Sequence, residues 1–325
     1  MNRGKSILNS VLLGNKSYLI LAVLVIALSI MSPLFLTPSN LLSVLRQVTV
    51  SAIVCAGFTL LLGSGHMDLS VGMILCACGV VCGKLLVAGM PIWFAILVTV
   101  VAGGLMGAIN AGLITLFALP AFIVTLATSS VYKGVAFLVT KNVPVSGLPD
   151  AFNFIGKGYW LGIPVPIYVM VLALLVMWVI LNRTVFGRQA ISMGGNAEAT
   201  RVSGVRVGKL RVFCYMAMGI FTGLAAVIQT ARSASAQLSA GADMTMDAIA
   251  AVVIGGTSMK GGNANIVGSL VGCLIVGIVN NGLNLMHVDA NWQIVAKGLL
   301  ILMAVILDSI STKMYKKSAA KKSAA

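Results

Sequence analysis

The sequence has 325 residues and a mass of 33.7 kDa; 59% of the residues are hydrophobic, 9% are charged, and the mean hydropathy is +1.05. A soluble domain carries about 25% charged residues, so this composition excludes one and points to a protein built within a membrane. The formal charge of +15, from 22 Lys and Arg against 7 Asp and Glu, fits the collection of basic residues in short cytoplasmic loops and calls for no nucleic-acid partner.

A spanning helix takes about 20 apolar residues, which leaves room for about eight to twelve spans and no extramembrane domain. The first segment, 1–17, carries Arg3, Lys5 and Lys16 before an apolar run from Tyr18. No small-residue cleavage pattern follows, so the run reads as a span and not as a signal peptide. Apolar stretches predict spans over 18–37, 41–63, 69–88, 91–119, 120–140, 164–182, 210–232, 247–259, 264–288 and 292–310. The fold class expected is all-α: a polytopic bundle of about ten transmembrane helices. The fourth predicted span is unusually long and the eighth unusually short, so one is tilted or bent and the other broken or re-entrant. Glycines at helical spacing, such as Gly103/Gly107 and Gly268/Gly272, predict close helix packing in lipid.

With the N-terminus inside, fifteen of the 22 basic residues fall in cytoplasmic segments, and only Lys84, Lys141, Lys157 and Arg232 face outward. Both termini are therefore expected in the cytoplasm, with 183–209 as a cytoplasmic loop and 311–325 as a Lys-rich tail near anionic lipid. The stretches 141–163 and 233–246 are expected outside. Arg46, Lys133 and Lys297 fall within spans. All six cysteines lie in apolar stretches. Cys76, Cys78 and Cys82 invite a metal reading, but no His or carboxylate lies among them, and packing explains them better. No metal site and no cofactor is expected.

The two halves share a pattern. Gly107, Asn110, Gly112 and Leu113 recur in order and spacing as Gly277, Asn280, Gly282 and Leu283, and Val131, Lys133 and Gly134 recur as Val295, Lys297 and Gly298. A shift of five spans inverts the second copy, and inverted repeats belong to transporter architecture. One detail conflicts: an inverted copy would put Lys133 and Lys297 at mirror depths, whereas the span boundaries place both toward the outer side.

Between the second and third spans lies a turn containing Ser64, Gly65, His66, Met67, Asp68, Leu69 and Ser70. It holds a His–acid pair close in sequence, yet a peptidase reading fails, because the other histidine, His287, belongs at the opposite face. Two readings stand: Asp68 caps a helix beginning at Leu69, or Ser64, His66, Asp68 and Ser70 line a gate. No catalytic residues are expected. The loop 183–209 lacks a phosphate-binding motif and is too short for a nucleotide-binding domain, so any ATP is hydrolysed by another chain. Within it, Asn196 to Val202 is helix-competent, with Asn196 as the cap and Glu198 in the first turn.

Five ordered segments, GSGHMDLSVG, GGNAEATRVSGV, DAIAAVVIGGTSMKGG, NNGLNLM and WQIVAKGLLILMAVILD, resemble the permeases of ribose-type monosaccharide ABC importers, from about Leu41 to Asp308. The resemblance implies a non-enzymatic, ten-span permease of the bacterial cytoplasmic membrane that pairs with a second copy or a paralogue. It implies a cytoplasmic ATPase with two nucleotide domains and an extracytoplasmic sugar-binding protein as partners. By motif position, Gly194, Gly195, Asn196, Glu198, Ala199, Arg201, Ser203 and Gly204 would form the helix that seats in the ATPase. Small residues let such a helix lie close to a partner, and Glu198 and Arg201 can pair with charges on it. The rival class is an ion-coupled carrier or channel for a small polar solute. Such a carrier needs ionisable groups near the midplane, and Asp150, Asp243, Asp247, Asp289 and Asp308 all map near interfaces, which leaves Lys133 and Lys297 as its support.

Overall fold

A computed structural model describes residues 16–289, 291–299, 302, 303 and 306. The first fifteen residues, the expected tail 311–325 and part of the expected last span lie outside the described residues. In chain order the helices are α1 (Lys16–Met31), α2 (Pro38–Gly63), α3 (Val71–Val87), α4 (Ile92–Leu116), α5 (Ala121–Thr140), α6 (Asp150–Lys157), α7 (Val165–Arg183), α8 (Val185–Gly195), α9 (Ala197–Val202), α10 (Val207–Ser233), α11 (Met244–Ile254) and α12 (Ile266–Leu285). A further helical stretch covers 291–299. Among the described residues six helices, α2, α4, α5, α7, α10 and α12, are long and apolar enough to cross a membrane, and three shorter ones, α1, α3 and α11, are apolar. The chain is thus an all-α polytopic bundle. Among the described residues it also carries a small antiparallel hairpin, β1 (Tyr159–Trp160) with β2 (Ile163–Pro164), in which Tyr159 pairs with Pro164.

Proline sets several helix starts, since its missing N–H is one that a first turn leaves unpaired anyway. Pro38 opens α2, and Pro91, Pro120, Pro149 and Pro164 immediately precede α4, α5, α6 and α7. The second helix forms the centre of the bundle, buried on all sides from Val48 to Gly63 except at Ser51. By contrast α4 exposes Trp93, Leu97, Val101, Leu105 and Ile109 along one stripe, the four-residue spacing of a helix face turned toward lipid.

The opposite stripe of α4 is cut down to glycine so that α10 can reach its backbone. A Cβ added to Gly103 would lie 2.3 Å from the Gly219 carbonyl oxygen, and one on Gly219 would lie 2.0 Å from that of Gly103. Similarly, Gly268 and Gly272 of α12 meet the carbonyls of Gly255 and Ala251 at the end of α11. In lipid, where apolar burial gives no preference for helix over solvent, such backbone contact supplies the packing energy.

The stretch 233–246, expected on the outer side, packs against the bundle for part of its length. Ala234 ends α10 in a left-handed conformation (φ 51°), and Ala236 then exchanges backbone hydrogen bonds with Val145 (2.9 and 3.2 Å). From there the chain runs beside α3. Ala236 sits against Gly83, the Leu238 carbonyl faces the Cys76 thiol at 3.4 Å, and Gly241 lies against Gly72. Gly83 to Gly72 covers about 16 Å of helix, so the segment, a run of turns over 238–243, packs along α3 into the bundle before α11 begins. Glycine makes this possible, because a Cβ on Gly72 would sit 2.1 Å from the Gly241 oxygen. Polar composition suggested a loop; the contact of two glycines with one another is invisible to composition. All six cysteines are free and buried.

Candidate functional site: the α2–α3 turn and the loop that abuts it

Ser64 closes α2, its hydroxyl donating to the Leu61 carbonyl at 2.6 Å, and Gly65 (φ 78°) turns the chain back into the bundle. There His66 meets Arg211 of α10. The Arg211 Nε–H donates to His66 Nε2 at 2.8 Å, and its Nη1 reaches the Thr115 hydroxyl at 3.4 Å. A guanidinium can only donate, so Nε2 carries the lone pair and the imidazole proton sits on Nδ1, which donates to the Ser64 carbonyl at 2.8 Å. Burial, then the Arg211 charge, hold the His66 pKa down at about 4.

Asp68 is fully buried. Its Oδ1 accepts from the backbone N–H (2.7 Å) and hydroxyl (2.6 Å) of Ser70, and its Oδ2 accepts from Asn110 of α4 at 3.1 Å. Asn110 also donates to the Ser70 hydroxyl at 2.8 Å, and the Tyr132 hydroxyl of α5 donates to the Asn110 side-chain oxygen at 3.0 Å. The Tyr215 hydroxyl of α10 donates to the Met67 carbonyl at 2.9 Å. Burial raises the Asp68 pKa, and the bonds from Ser70 and Asn110 oppose the rise. Asp68 does not cap a helix at Leu69. The helix begins at Val71, and Asp68 closes a tight turn onto Ser70 before it, so that its second oxygen is free to reach across to α4. This is a network tying the start of α3 to α4, α5 and α10.

The loop 183–209 folds as two short helices. Thr184 caps α8 by accepting from the Gly187 N–H (3.1 Å), and Asn196 caps α9 by accepting from that of Ala199 (2.9 Å). Glu198 and Arg201 are exposed and pair with each other at 2.5 and 3.0 Å, the carboxylate pKa being lowered by that bond. Ser203 ends α9, its hydroxyl donating to the Ala199 carbonyl at 2.9 Å, and Gly204 (φ 86°) turns away. A groove of about 500 Å³ between α8 and α9 is lined by Arg188, Gln189, Ser192, Asn196, Thr200 and Ser203, among others.

Where the two regions touch, glycines bring backbone against backbone. A Cβ on Gly194 would sit 2.1 Å from the Gly63 oxygen and 2.7 Å from the Gly262 nitrogen, while Gly262 N–H donates to the Gly63 carbonyl at 2.9 Å. Gly261 lies equally close to Gly194 and Gly65. The end of α8 is therefore in direct backbone contact with the turn that carries Ser64, His66, Asp68 and Ser70.

Several partners had no signal of their own in the sequence. Tyr215 is a single polar tip in a largely apolar run, Tyr132 lies unremarked beside Ser129, Ser130 and Lys133, and Arg211 counted only as one more basic residue of the cytoplasmic side. Asn110 did stand out, as part of the repeated pattern. Among the described residues no group of three or more His, Cys, Asp and Glu could hold a metal ion.

The family model described as "Branched-chain amino acid transport system / permease component" matches residues 40–305. The chain is 44% identical over 293 residues to a ribose import permease protein of Bacillus subtilis (strain 168), covering 90% of this chain and 91% of that protein. It is 39% identical over 302 residues to the ribose import permease protein of Haemophilus influenzae, covering 92% and 94%. It is 32% identical over 294 residues to an L-arabinose transport system permease protein of Escherichia coli (strain K12), covering 90% of each. No solved structure matches the chain.

Proposed function

Because this chain belongs to the family of branched-chain amino acid transport system permease components, we propose that it is the membrane-spanning permease of an ATP-driven sugar importer. It is a transport subunit, not an enzyme. The sugar assignment is supported by the ribose and arabinose relatives, which match along nine-tenths of both chains. In this reading ten spans, related in two halves by an inverted repeat, cross the bacterial cytoplasmic membrane with both termini inside. Two copies, or one copy and a paralogue, enclose the pathway. A binding protein outside delivers a pentose or hexose, and an ATPase with tandem nucleotide domains docks from the cytoplasm on the segment Gly194 to Gly204.

The observation that carries this reading is the seat of Gly194 against Gly63 and Gly262. It gives α9, with the groove beside it, a direct mechanical route to the turn holding His66 and Asp68. Closure of the ATPase moves α9, α8 transmits the motion through Gly194, and the turn rearranges the cytoplasmic end of the pathway. The pathway itself need not bind sugar tightly, since selection belongs to the binding protein and a deep well would slow release.

The test is a pair of substitutions, Glu198→Lys and Gly195→Trp, in the assembled transporter. Both residues are outside the apolar helices, so insertion should be normal while co-purification with the ATPase and uptake both fall. Normal values of both quantities in either variant would remove the docking assignment.

A further inference from the structure

The break between α10 and α11 opens a cleft of about 340 Å³, within the range of small-molecule sites. Its polar lining contrasts with the apolar helices around it: Gln229 and Ser233 of α10, Gln237 and Ser239 of the segment that follows, Asp243 and Asp247 at the start of α11, and Lys297. The Lys297 ammonium lies 3.3 Å from Asp247 and 3.9 Å from Asp243. Exposure grades from Asp243, whose side chain is 69% exposed, to Asp247 at 16%. The cleft therefore runs inward from an open rim.

Non-helical backbone at membrane depth persists only where it is buried in protein or lines a water-filled cavity, and interrupted helices are where transporters bind their solutes. The chemistry of the lining narrows the solute. Lys297 bridges both carboxylates, so the cleft is not a bare anionic site for a cation. Gln237 donates to the Ser235 hydroxyl at 2.9 Å and Gln229 to that of Ser233 at 3.4 Å, which leaves both amide oxygens as acceptors. Fixed acceptors beside an ammonium donor match groups that donate and accept at once, as adjacent hydroxyls do.

We propose that this cleft is a transit subsite for a neutral polyhydroxylated solute, with Asp247, Lys297, Gln229 and Gln237 as its hydroxyl partners. The proposal rests on the sugar-import reading and adds to it a place where the sugar touches the permease. The ion pair holds the Asp247 carboxylate in position without neutralising its acceptor oxygens, and Gln229 of α10 and Gln237 of the following segment supply the amides of the lining.

The test uses full-length protein in liposomes, with the six native cysteines replaced and Ser239→Cys introduced at an exposed lining position. An impermeant thiol reagent is added outside, with no binding protein present, so docking cannot cover the cleft. D-ribose should slow labelling by the factor 1 + [ribose]/Kd, about twofold when the ribose concentration equals Kd. L-leucine at the same concentration should not slow it, and Gln237→Leu, a change at an exposed residue, should abolish the protection. Uptake of ribose by the unsubstituted chain with its ATPase and binding protein is measured alongside. Labelling unaffected by ribose, with uptake intact, overturns the subsite and leaves the sugar reading standing; equal protection by leucine overturns the solute class. Absence of labelling from outside overturns both the subsite and the orientation, whatever the uptake.

Discussion

Acid should loosen this protein through His66 before it acts on most other groups. In the unfolded chain the imidazole binds a proton as pH falls through its ordinary 6.5, whereas in the fold burial and Arg211 delay protonation to about 4. Between those values the unfolded state holds more protons, so stability falls as the solution is acidified. The contribution is fully present above 6.5 and declines by about 3 kcal/mol by pH 4. The structural reason is local. A charged imidazole would present a second donor to the Arg211 Nε–H 2.8 Å away and lose its role as acceptor. Asp68 acts in the opposite sense, because burial favours its neutral form and acid relieves that penalty. The two are separated by comparing the wild type with His66→Gln, whose amide oxygen can still accept from Arg211 but does not titrate. Thermal unfolding midpoints in detergent, followed from pH 7.5 down to pH 4.5, should fall more steeply in the wild type. Parallel profiles in the two proteins would refute the assignment of a neutral, Arg211-bonded histidine.

Three further outcomes follow from the packing and the network. Gly219→Leu should lower the unfolding midpoint sharply, by the equivalent of about 3 kcal/mol or more, because its Cβ would stand 2.0 Å from the Gly103 oxygen; an unchanged midpoint would deny the α4–α10 contact. Asn110→Leu removes the donor to the Asp68 Oδ2 and the acceptor for Tyr132, and should cost about 2–4 kcal/mol, read as loss of midpoint together with a raised proteolytic sensitivity of the α2–α3 turn. Asp68→Asn keeps an oxygen for Ser70 but turns donor against donor at Asn110, so a gate role predicts a leak or a block in uptake at normal expression, while wild-type uptake would leave only the structural role.

The helical segments were legible because lipid imposes a simple rule on sequence: about 20 apolar residues for each crossing. The glycine spacings of α4 and α12 and the Asn196 cap were legible for the same reason, each being a local pattern with one physical cause. What stayed hidden depends on contacts between distant segments. The turn at Asp68 looked like a cap because nothing local reveals that Asn110 waits 42 residues away. The stretch 233–246 looked like a loop because small and polar residues suit both a surface turn and a polar cleft inside a bundle. The region 141–163 likewise gave no sign of α6 or the hairpin, which are too short to leave a periodic signature. Lys297 read as a charge within a span and as half of a repeated pattern, but its pairing with Asp247, 50 residues away, has no local signal.

The central claim is that this chain moves sugar only as part of an ATP-driven assembly. Proteoliposomes holding the permease with its ATPase and binding protein, loaded with ATP on the cytoplasmic side, should accumulate radiolabelled ribose. Omitting the ATPase, the nucleotide or the binding protein should each abolish accumulation, whatever proton or sodium gradient is applied. Accumulation by the permease alone, driven by such a gradient through the Asp247–Lys297 pair, would contradict the account and make the protein an ion-coupled carrier.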